Sequence, residues 1–384
     1  MAHRTQLKNA KRIVVKVGTS TLFLENGKPD LYRIEHLIRE LSALRNEGRE
    51  VIFVSSGAIA YGMNEAGMRE KPADIPKKQA LAAIGQSGLM HLYKRFFADY
   101  GQTTAQVLLT KENAARHHQY TNSRNALLSL LELGVIPVIN ENDVVAIDEI
   151  KIGDNDNLSA TVAVLTDADA LLILSDIDGV YTGNPSKDKD ARRIEEILEI
   201  TPEIERMAGG AGSSFGTGGM ATKIEAARIA LNAGVTMVIA KGSDDEVIRR
   251  VFSGDVLGTI FPAREAHLRT RQNWLAFGKR IEGTIAVDEG CANAILTGKS
   301  SLLAAGIVSV EGDFPAGSSV RILAPSGQEI GRGITNYNAS DMEKIKGLKS
   351  RDFKAILGAS ARDEVIHRDN LVLLAQGMEA AAWR

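Results

Sequence analysis

The stretch Ile13-Val14-Val15-Lys16-Val17-Gly18-Thr19-Ser20 places a run of mainly apolar residues directly before a turn of glycine and two hydroxyl residues. β-Branched residues are typical of strands, and a strand of a parallel sheet is apolar on both faces because helices cover both. A lysine is unusual inside such a run. The stretch predicts a buried strand that ends in polar groups, with one basic side chain near that end.

The same pattern recurs through the first two thirds of the chain. Short apolar runs alternate with longer amphipathic segments between residues 12 and 262, which indicates an α/β domain with a mainly parallel sheet. The predicted strands are residues 13–17, 51–54, 105–109, 135–139, 170–174 and 235–240. Polar residues follow the first five. Because ligands bind at the carboxyl ends of strands in open α/β sheets, these endings predict one functional rim.

A chain of 384 residues exceeds what one hydrophobic core usually supports, so two domains are expected. The alternation stops at a charged segment, and shorter β-like runs follow at residues 283–287, 319–323 and 329–334. Glycine and proline turns between such runs are typical of a small β-rich domain. We predict an α/β domain over residues 1–263, a linker over 264–280, a β-rich domain over 281–374 and a tail over 375–384.

The composition excludes several classes of protein. With 44% hydrophobic and 24% charged residues the chain has the make-up of a globular protein, and a formal charge of −2 gives no global attraction to nucleic acid or anionic membrane. The single cysteine, Cys291, rules out an internal disulfide. The amino-terminal residues lack the apolar core of a signal peptide, and no apolar run is long enough to span a membrane. We therefore expect a cytoplasmic protein.

Lys16 is the first candidate for chemistry. A lysine that points into a buried strand needs a partner for its charge, whereas a lysine that extends to the surface needs none, and the strand alone leaves both open. The turn at residues 18–20 favours a functional role. A cationic side chain beside glycine and hydroxyl groups can bridge the oxygens of a phosphoryl group during its transfer.

The segment Gly216-Thr217-Gly218-Gly219-Met220-Ala221-Thr222-Lys223 is the second candidate for phosphate binding. Glycines let backbone N–H groups approach an anion, and the N-terminus of the helix predicted to follow adds favourable electrostatics. The segment is not a Walker A loop, because Ile224 follows Lys223 where serine or threonine is needed. It is not a dinucleotide fingerprint, since residues 192–207 before it have helical rather than strand spacing. A plain connecting loop remains the alternative.

Two clusters of acidic and amide residues, Asn140-Glu141-Asn142-Asp143 and Gly153-Asp154-Asn155-Asp156-Asn157, lie close together in the sequence. Their spacing does not match a calcium-binding EF-hand. Turns and helix caps explain many such clusters, and the apolar segment that follows favours Asp156 or Asn157 as a helix N-cap. One cap does not need two clusters. The surplus carboxylates and amide oxygens suit the capture of an ammonium group, and Asp156 suits the orientation of two lysines that face phosphate.

The segment that begins Ser175-Asp176 and continues to Pro185 leaves a predicted buried strand and turns repeatedly at glycine and proline. It is either a connecting loop or a wall for a nucleoside. Its apolar and hydroxyl side chains fit a base and a ribose.

Taken together, these motifs resemble the amino-acid kinase family. The shared segments occur in the family's order, and they are residues 14–20, 54–60, 82–86, 138–143, 153–159 and 216–223. The β-rich region after them resembles a PUA domain. The resemblance implies a mostly parallel, eight-stranded sheet between helix layers, plus a separate small PUA-like domain. It also implies that ATP and an amino-acid substrate meet at the strand ends.

The resemblance assigns roles to individual residues. The two lysines, Lys16 and Lys223, contact the phosphates and form the predicted catalytic set together with Asp156. Substrate binding falls to Ser56, Asp143 and Asn155. Family members often have Thr-Asp at positions 175 and 176, and serine retains the hydroxyl. The nucleotide site is assigned to Lys16, Ser175, Asp176, Thr217, Gly218, Gly219, Met220, Ala221, Thr222 and Lys223.

Within the family, the motifs resemble most closely those of members that phosphorylate L-glutamate on its γ-carboxylate, the first step of proline biosynthesis. ATP and Mg²⁺ are then the expected cofactors, with Mg²⁺ held mainly through the ATP phosphates and no protein ligand assigned to it. A side-chain carboxylate with a pKa near 4.3 is already ionised at neutral pH, so the nucleophile needs no general base. This explains why the sequence offers no evident catalytic histidine.

Several other functions fit the sequence less well. Kinases of the same fold that act on acetylglutamate, aspartate, carbamate or uridylate are disfavoured by the Ser55–Ala60 motif, the Asn140–Asp143 cluster and the PUA-like region. An RNA-binding protein is disfavoured because residues 278–384 hold thirteen Lys and Arg against thirteen Asp and Glu, without a basic footprint. The resemblance implies proline as a possible feedback inhibitor and a homodimer or homotetramer, with no membrane partner.

Overall fold

The computed structural model describes residues 3–110, 117–145, 155–183, 185, 188, 190–208, 219–263, 281–297, 300–349, 352, 356–358 and 363–373. The chain divides into two compact units, residues 1–267 and residues 268–384. The predicted linker over 264–280 and the predicted tail over 375–384 lie outside the described residues.

The first unit alternates strands and helices. Its strands are β1 (Arg12–Val17), β2 (Glu50–Ser55), β3 (Thr104–Leu109), β4 (Ile136–Glu141), β5 (Ala170–Ser175), β6 (Val180–Tyr181), β7 (Arg193–Ile194), β8 (Thr236–Lys241) and β9 (Thr259–Phe261). Its helices are α1 (Arg4–Asn9), α2 (Thr19–Leu22), α3 (Leu31–Asn46), α4 (Ala58–Glu65), α5 (Ile75–Asp99), α6 (His117–Glu132), α7 (Asn155–Leu165), α8 (Pro202–Ala208), α9 (Met220–Asn232) and α10 (Val247–Phe252).

The main sheet has the strand order β3-β4-β2-β1-β5-β8-β9. Neighbouring strands pair in parallel, except that β9 runs antiparallel to β8. β1 lies in the middle, where Lys16 pairs with Val54 on one side and Ile173 on the other. The polar residues that follow the parallel strands therefore lie along one rim, as the sequence predicts.

The expected eight-stranded sheet has seven strands within the described residues. At the outer edge, Glu196 forms only an isolated parallel bridge with Ile260 of β9. The residues before it cannot lengthen this bridge into a strand, because β7 pairs with β6 in a separate two-stranded hairpin. The eighth position is therefore filled by a single bridge.

Alternation along β1 explains where Lys16 points. Ile13, Val15 and Val17 pack in a buried core with α3 and α5. Successive side chains of a strand point to opposite faces, so Val14 and Lys16 face the other side of the sheet. There β1 packs against α7, which in turn packs against α9.

Helices α4 and α5 cross at very close range because glycines form their contact. A Cβ atom added at Gly85 would lie 1.8 Å from the carbonyl oxygen of Ala58, and one added at Gly62 would lie 2.0 Å from that of Leu81. The turn before α4 contains Gly57 with a φ of +102°, a conformation that favours glycine. The crossing fixes the turn between β2 and α4 against the middle of α5.

Arg4 joins the beginning of the first unit to its end. Its buried guanidinium donates hydrogen bonds to the backbone carbonyl oxygens of Glu195, Asp255, Leu257 and Gly258. Burial lowers the pKa of Arg4, but these acceptors offset the loss of water around its charge. Helix α1 is held in place by this contact.

The second unit is built around a five-stranded sheet with the order β11-β10-β12-β13-β14. The β10–β12 pair is parallel and the other pairs are antiparallel. Its own buried core includes Ile285, Ile322 and Met342. The elements are β10 (Gly283–Val287), α11 (Glu289–Leu296), β11 (Ile307–Glu311), β12 (Ser319–Leu323), β13 (Glu329–Ile334), α12 (Ala339–Ile345) and β14 (Leu371–Leu373).

The predicted strands of both units are all present, and their ends differ from the prediction by at most two residues. The helical spacing assigned to residues 192–207 is wrong in its first half. There β7 and the bridge at Glu196 hold the chain extended, and α8 begins only at Pro202. No helix within the described part of the chain is both long and apolar enough to cross a membrane.

The close crossing of α4 and α5 gives a prediction for Gly85→Ala. The added Cβ meets backbone rather than a flexible side chain, so the helices must move apart and the free energy of unfolding should fall by about 3 kcal/mol. Urea unfolding followed by circular dichroism measures this change.

The matched control is Gly290→Ala, the same substitution within a helix of the second unit. An added Cβ there lies 3.5 Å from the nearest side-chain atom, Asp288 Oδ1, which is ordinary contact. We expect no loss of stability in this control. An equally stable Gly85→Ala variant would contradict the packing argument.

Candidate active site

Two lysines and one aspartate meet at the centre of the rim. Nζ of Lys16 lies 2.7 Å from Oδ1 of Asp156, and Nζ of Lys223 lies 3.2 Å from Oδ2 of the same carboxylate. Asp156 is 1% exposed, and both lysines are buried. Two ammonium groups share one carboxylate, so the cluster carries a surplus of one positive charge. A buried site with this surplus favours an anion.

Three elements bring these side chains together. Lys16 comes from the carboxyl half of the central strand β1, Asp156 from the first turn of α7, and Lys223 from the first turn of α9. Thr222 adds a hydroxyl that donates to Oδ2 of Asp156 at 2.9 Å. The first turns of α7 and α9 also bring the positive ends of two helix dipoles to this region, which favours negative charge.

The two lysines control the ionisation of Asp156. Burial by itself raises the pKa of this carboxyl, but the charges of Lys16 and Lys223 outweigh burial, and hydrogen bonds from Lys16 and Thr222 assist them. The pKa of Asp156 is therefore well below its ordinary value, and the carboxylate is ionised at neutral pH. It can hold both ammonium groups at fixed positions.

A network of amide side chains lies beside this cluster. Nδ2 of Asn155 is 2.9 Å from each of three acceptors, the carbonyl oxygen of Ser55, Oγ of Ser56 and Oδ1 of Asn140. Asn140 in turn donates from Nδ2 to Oε1 of Gln86 at 2.7 Å. The network connects the carboxyl ends of β2 and β4 to α7 and α5.

Tyr93 of α5 forms a hydrogen bond with the turn at Ser55 and Ser56. The buried phenol and Oγ of Ser55 are 2.6 Å apart. Burial raises the pKa of Tyr93, so the phenol stays neutral at physiological pH. This contact adds to the glycine crossing in fixing the turn against α5.

A cavity of about 250 Å³ opens on the rim next to the amide network. Asp143, predicted to bind substrate, lines it together with Gln86, Glu141, Asn142 and Gln106. Asn155 and Ser56, the other two predicted substrate residues, are joined to this cavity through Asn140 and Gln86. The structure therefore places all three predicted substrate residues around one region of the rim.

The residues predicted to bind the nucleotide are described in part. Ser175 ends β5 beside Lys241 of β8, and its hydroxyl donates to Oδ1 of Asp176, which is exposed. Gly219, Met220 and Ala221 begin α9 in front of Lys223. The predicted residues Thr217 and Gly218 lie outside the described residues.

One expectation for this region is wrong, and some contacts were missed. Asp156 and Asn157 are not N-caps, because α7 begins at Asn155 and both residues lie inside its first turn. The sequence assigned no role to Gln86, Asn140 or Tyr93. Asn140 belongs to the cluster at residues 140–143, and Gln86 belongs to the motif at residues 82–86. The sequence alone does not show which strand end a polar residue on a helix will contact.

A metal ion held by protein side chains alone needs several suitable ligands close together. Within the residues that the structure describes, no group of three or more His, Cys, Asp or Glu side chains is arranged to hold a metal ion. Both oxygens of Asp156, the most buried carboxylate of the site, are engaged by lysines.

Comparison with protein families gives two matches. The model of the amino acid kinase family matches residues 11–241, which is more than half of the chain and includes Lys16, Asp156 and Lys223. The chain belongs to the amino acid kinase family. A PUA domain matches residues 283–357, within the second unit.

Relatives within the amino acid kinase family match over nearly the whole chain. A protein of Moorella thermoacetica named glutamate 5-kinase is 50% identical over 97% of this chain and 98% of its own length. Proteins with the same name from Caldanaerobacter subterraneus and Carboxydothermus hydrogenoformans are also 50% identical, over 95% and 97% of this chain and 98% and 100% of their own. The similarity thus covers both the kinase and the PUA regions.

The lowered pKa of Asp156 gives a prediction with a definite sign. Ionised Asp156 stabilises the fold at pH values above the ordinary aspartate pKa of 3.8, and this contribution is lost as the pH falls below that value. Asp156→Asn removes this contribution and takes the carboxylate away from two buried ammonium groups. We expect the variant to be about 3 kcal/mol less stable than the wild type at pH 7.

The measurement is thermal unfolding of wild type and Asp156→Asn across the pH range. The gap between their melting temperatures should be widest at neutral pH and should narrow below pH 3.8, where the wild type loses the advantage. A gap that stays constant over the whole range would contradict the coupling of Asp156 to the two lysines.

Proposed function

We propose that the protein transfers the γ-phosphoryl group of ATP to the γ-carboxylate of L-glutamate, giving L-glutamyl 5-phosphate and ADP. This is the first step of proline biosynthesis. The observation that carries the proposal is the 50% identity to glutamate 5-kinases over 97% of the chain. The Lys16–Asp156–Lys223 cluster supplies the charge that phosphoryl transfer requires.

The chemistry needs alignment and charge neutralisation more than acid–base catalysis. The carboxylate of the acceptor is ionised at neutral pH, so no residue has to remove a proton from it. Negative charge concentrates on the oxygens of the transferred phosphoryl group as it moves between two anions. Lys16 and Lys223 bind different oxygens of Asp156. We propose that they contact the oxygens of the phosphoryl group from two sides.

The role of Asp156 follows from its position between the lysines. Without it, two like charges would repel each other in a buried site, and the two side chains would move apart. With it, both ammonium groups are held at fixed positions before substrate arrives. Donors that are already in place need no reorganisation during the reaction, which is the main source of electrostatic catalysis.

Mg²⁺ fits this site as a companion of ATP rather than as a resident of the protein. When bound together with ATP, it would neutralise part of the charge of the phosphates. We assign no described side chain to it, because Asp156 is occupied by the lysines. Ser175, Asp176 and residues 217–223 are proposed to hold the nucleotide.

L-Glutamate is proposed to bind at the amide side of the rim. Ser56 and Asn155 offer a hydroxyl and an amide, and Asp143 offers a carboxylate to the substrate's ammonium group. Proline, which shares the ammonium and carboxylate of an amino acid, is proposed to inhibit at the same residues. We further propose a cytoplasmic location and a homodimer or homotetramer.

ADP release measured with a panel of acceptors tests the function directly. The protein is incubated with MgATP and, in turn, L-glutamate, N-acetyl-L-glutamate, L-aspartate, carbamate and uridylate. We expect turnover with L-glutamate, reduced by added proline. Turnover with one of the other acceptors alone would replace this function with that of another kinase of the family.

The two lysines give a kinetic prediction. Lys16→Met and Lys223→Met keep most of the side-chain volume but remove the charge, so kcat should fall by at least about 100-fold while the protein stays folded. The matched control is Lys11→Met, since Lys11 is exposed just before the opposite end of the same strand β1. Near-normal kcat in a folded Lys16 or Lys223 variant would remove that lysine from the mechanism.

The substrate residues give a different kinetic signature. Asp143→Ala and Asn155→Ala should raise the KM for L-glutamate by about tenfold or more while the KM for ATP stays nearly unchanged, because each loses a polar contact to the acceptor alone. Initial rates with each substrate varied in turn measure both constants. A change confined to the KM for ATP would refute the assignment.

A further inference from the structure

The hydrogen bonds around Asn155 determine which end of its amide faces a ligand. An amide NH₂ group has two hydrogens, and here three oxygens surround it at 2.9 Å. One of them is the backbone carbonyl of Ser55, which can only accept. Turning the amide over would place its oxygen against these three oxygens. Nδ2 therefore points inward, and Oδ1 is the polar atom of Asn155 that remains for a substrate.

The orientation of Asn140 is fixed in the same way by the backbone. The N–H of Glu141, which can only donate, lies 2.9 Å from Oδ1 of Asn140. That oxygen also accepts from Asn155. The NH₂ group of Asn140 must then point the other way, where it needs an acceptor because the side chain is buried.

Gln86 supplies this acceptor, with its Oε1 at 2.7 Å from Nδ2 of Asn140. Its position is set by packing. Gly85, the preceding residue, is in direct backbone contact with Ala58 at the start of α4, so α5 cannot slide along the turn that carries Ser56. Asn155 thus donates to Asn140, and Asn140 donates to Gln86. We call this chain of three side chains the amide relay.

We propose that Gln86 is a positioning residue for substrate recognition, which acts through Asn140 to keep Oδ1 of Asn155 directed at the α-ammonium group of the amino-acid acceptor. This inference rests on the proposed function, because it takes the acceptor to be an amino acid. An amide oxygen accepts a hydrogen bond from an ammonium group but has nothing to donate to a carboxylate.

The relay therefore selects for an ammonium group at this point of the substrate. An acceptor of the same length without that group, such as glutarate, cannot form the bond and leaves a buried polar atom unpaired. A site built around a hydrogen bond rejects the analogue that lacks the partner more strongly than an apolar pocket rejects a small change in size. Without the oxygen of Gln86, the NH₂ group of Asn140 loses its acceptor, and the amide of Asn140 is less strongly oriented. The amide of Asn155, which donates to Asn140, is then less strongly oriented as well.

The test compares the KM for L-glutamate with the inhibition constant for glutarate in the full-length protein. In Gln86→Met, which removes the acceptor but keeps the length of the side chain, the KM for L-glutamate should rise by about tenfold and glutarate inhibition should not change. Gln86→Glu retains an acceptor for Asn140, and it should keep at least the wild-type preference for L-glutamate over glutarate. Gln86→Ala replaces Gln86→Met if the latter fails to fold.

The matched control is Gln102→Met, since Gln102 precedes β3 at the end of the sheet opposite the rim and its amide donates to Asn46 and Tyr100 rather than to the amide relay. We expect it to behave as the wild type. The role of Gln86 is overturned if, in Gln86→Met, the KM for L-glutamate and the inhibition constant for glutarate rise equally or neither rises. An equal rise would indicate a loss of general packing, which affects both ligands alike.

The two proposals fail in distinguishable ways. If the wild type turns over a different amino acid, the assignment of L-glutamate is wrong, and the relay is tested with that amino acid and its deamino analogue, for which the same result is expected. If the wild type turns over L-glutamate and Gln86→Met retains the wild-type preference, only the relay is wrong. If the wild type phosphorylates no amino acid, both are wrong.

Discussion

The ion pairs between Asp156 and the two lysines are the constraint around which the rim is organised. A lysine in the central strand of a parallel sheet is costly unless its charge is compensated, and Asp156 compensates Lys16 from the first turn of α7. The same carboxylate also binds Lys223, so α7 and α9 must both begin next to β1. Electrostatics at one point thus sets the placement of two helices on the sheet.

The opposite side of the rim is organised by close backbone contact and by directed amide bonds. Glycines let α4 and α5 touch through their backbones, and this contact holds the turn at Ser56 against α5. The amides of Asn155 and Asn140 are oriented by backbone groups that can only accept or only donate. One side of the site is therefore defined by charge and suits phosphate, while the other is defined by hydrogen-bond direction and suits a small zwitterion.

Much of this arrangement could be predicted from the sequence, for physical reasons that are specific to each part. The strands were predictable because buried parallel strands read as short apolar runs, and the rim followed from the polar residues after them. Lys16 stood out because a charge in such a run is rare. The replacement of the expected eighth strand by a single bridge was not predictable from composition, since residues near Glu196 divide their backbone bonds between a hairpin and that bridge. The role of Gln86 was not predictable either, because it depends on an approach of two helices that only their glycines reveal.

The four backbone bonds of Arg4 have a consequence for how the first unit is made. Its partners at residues 255–258 are synthesised about 250 residues after Arg4 itself. A guanidinium without these acceptors is costly to bury. The docking of α1 through Arg4 therefore depends on residues near the far end of the first unit, and it can be completed only after those residues have been synthesised.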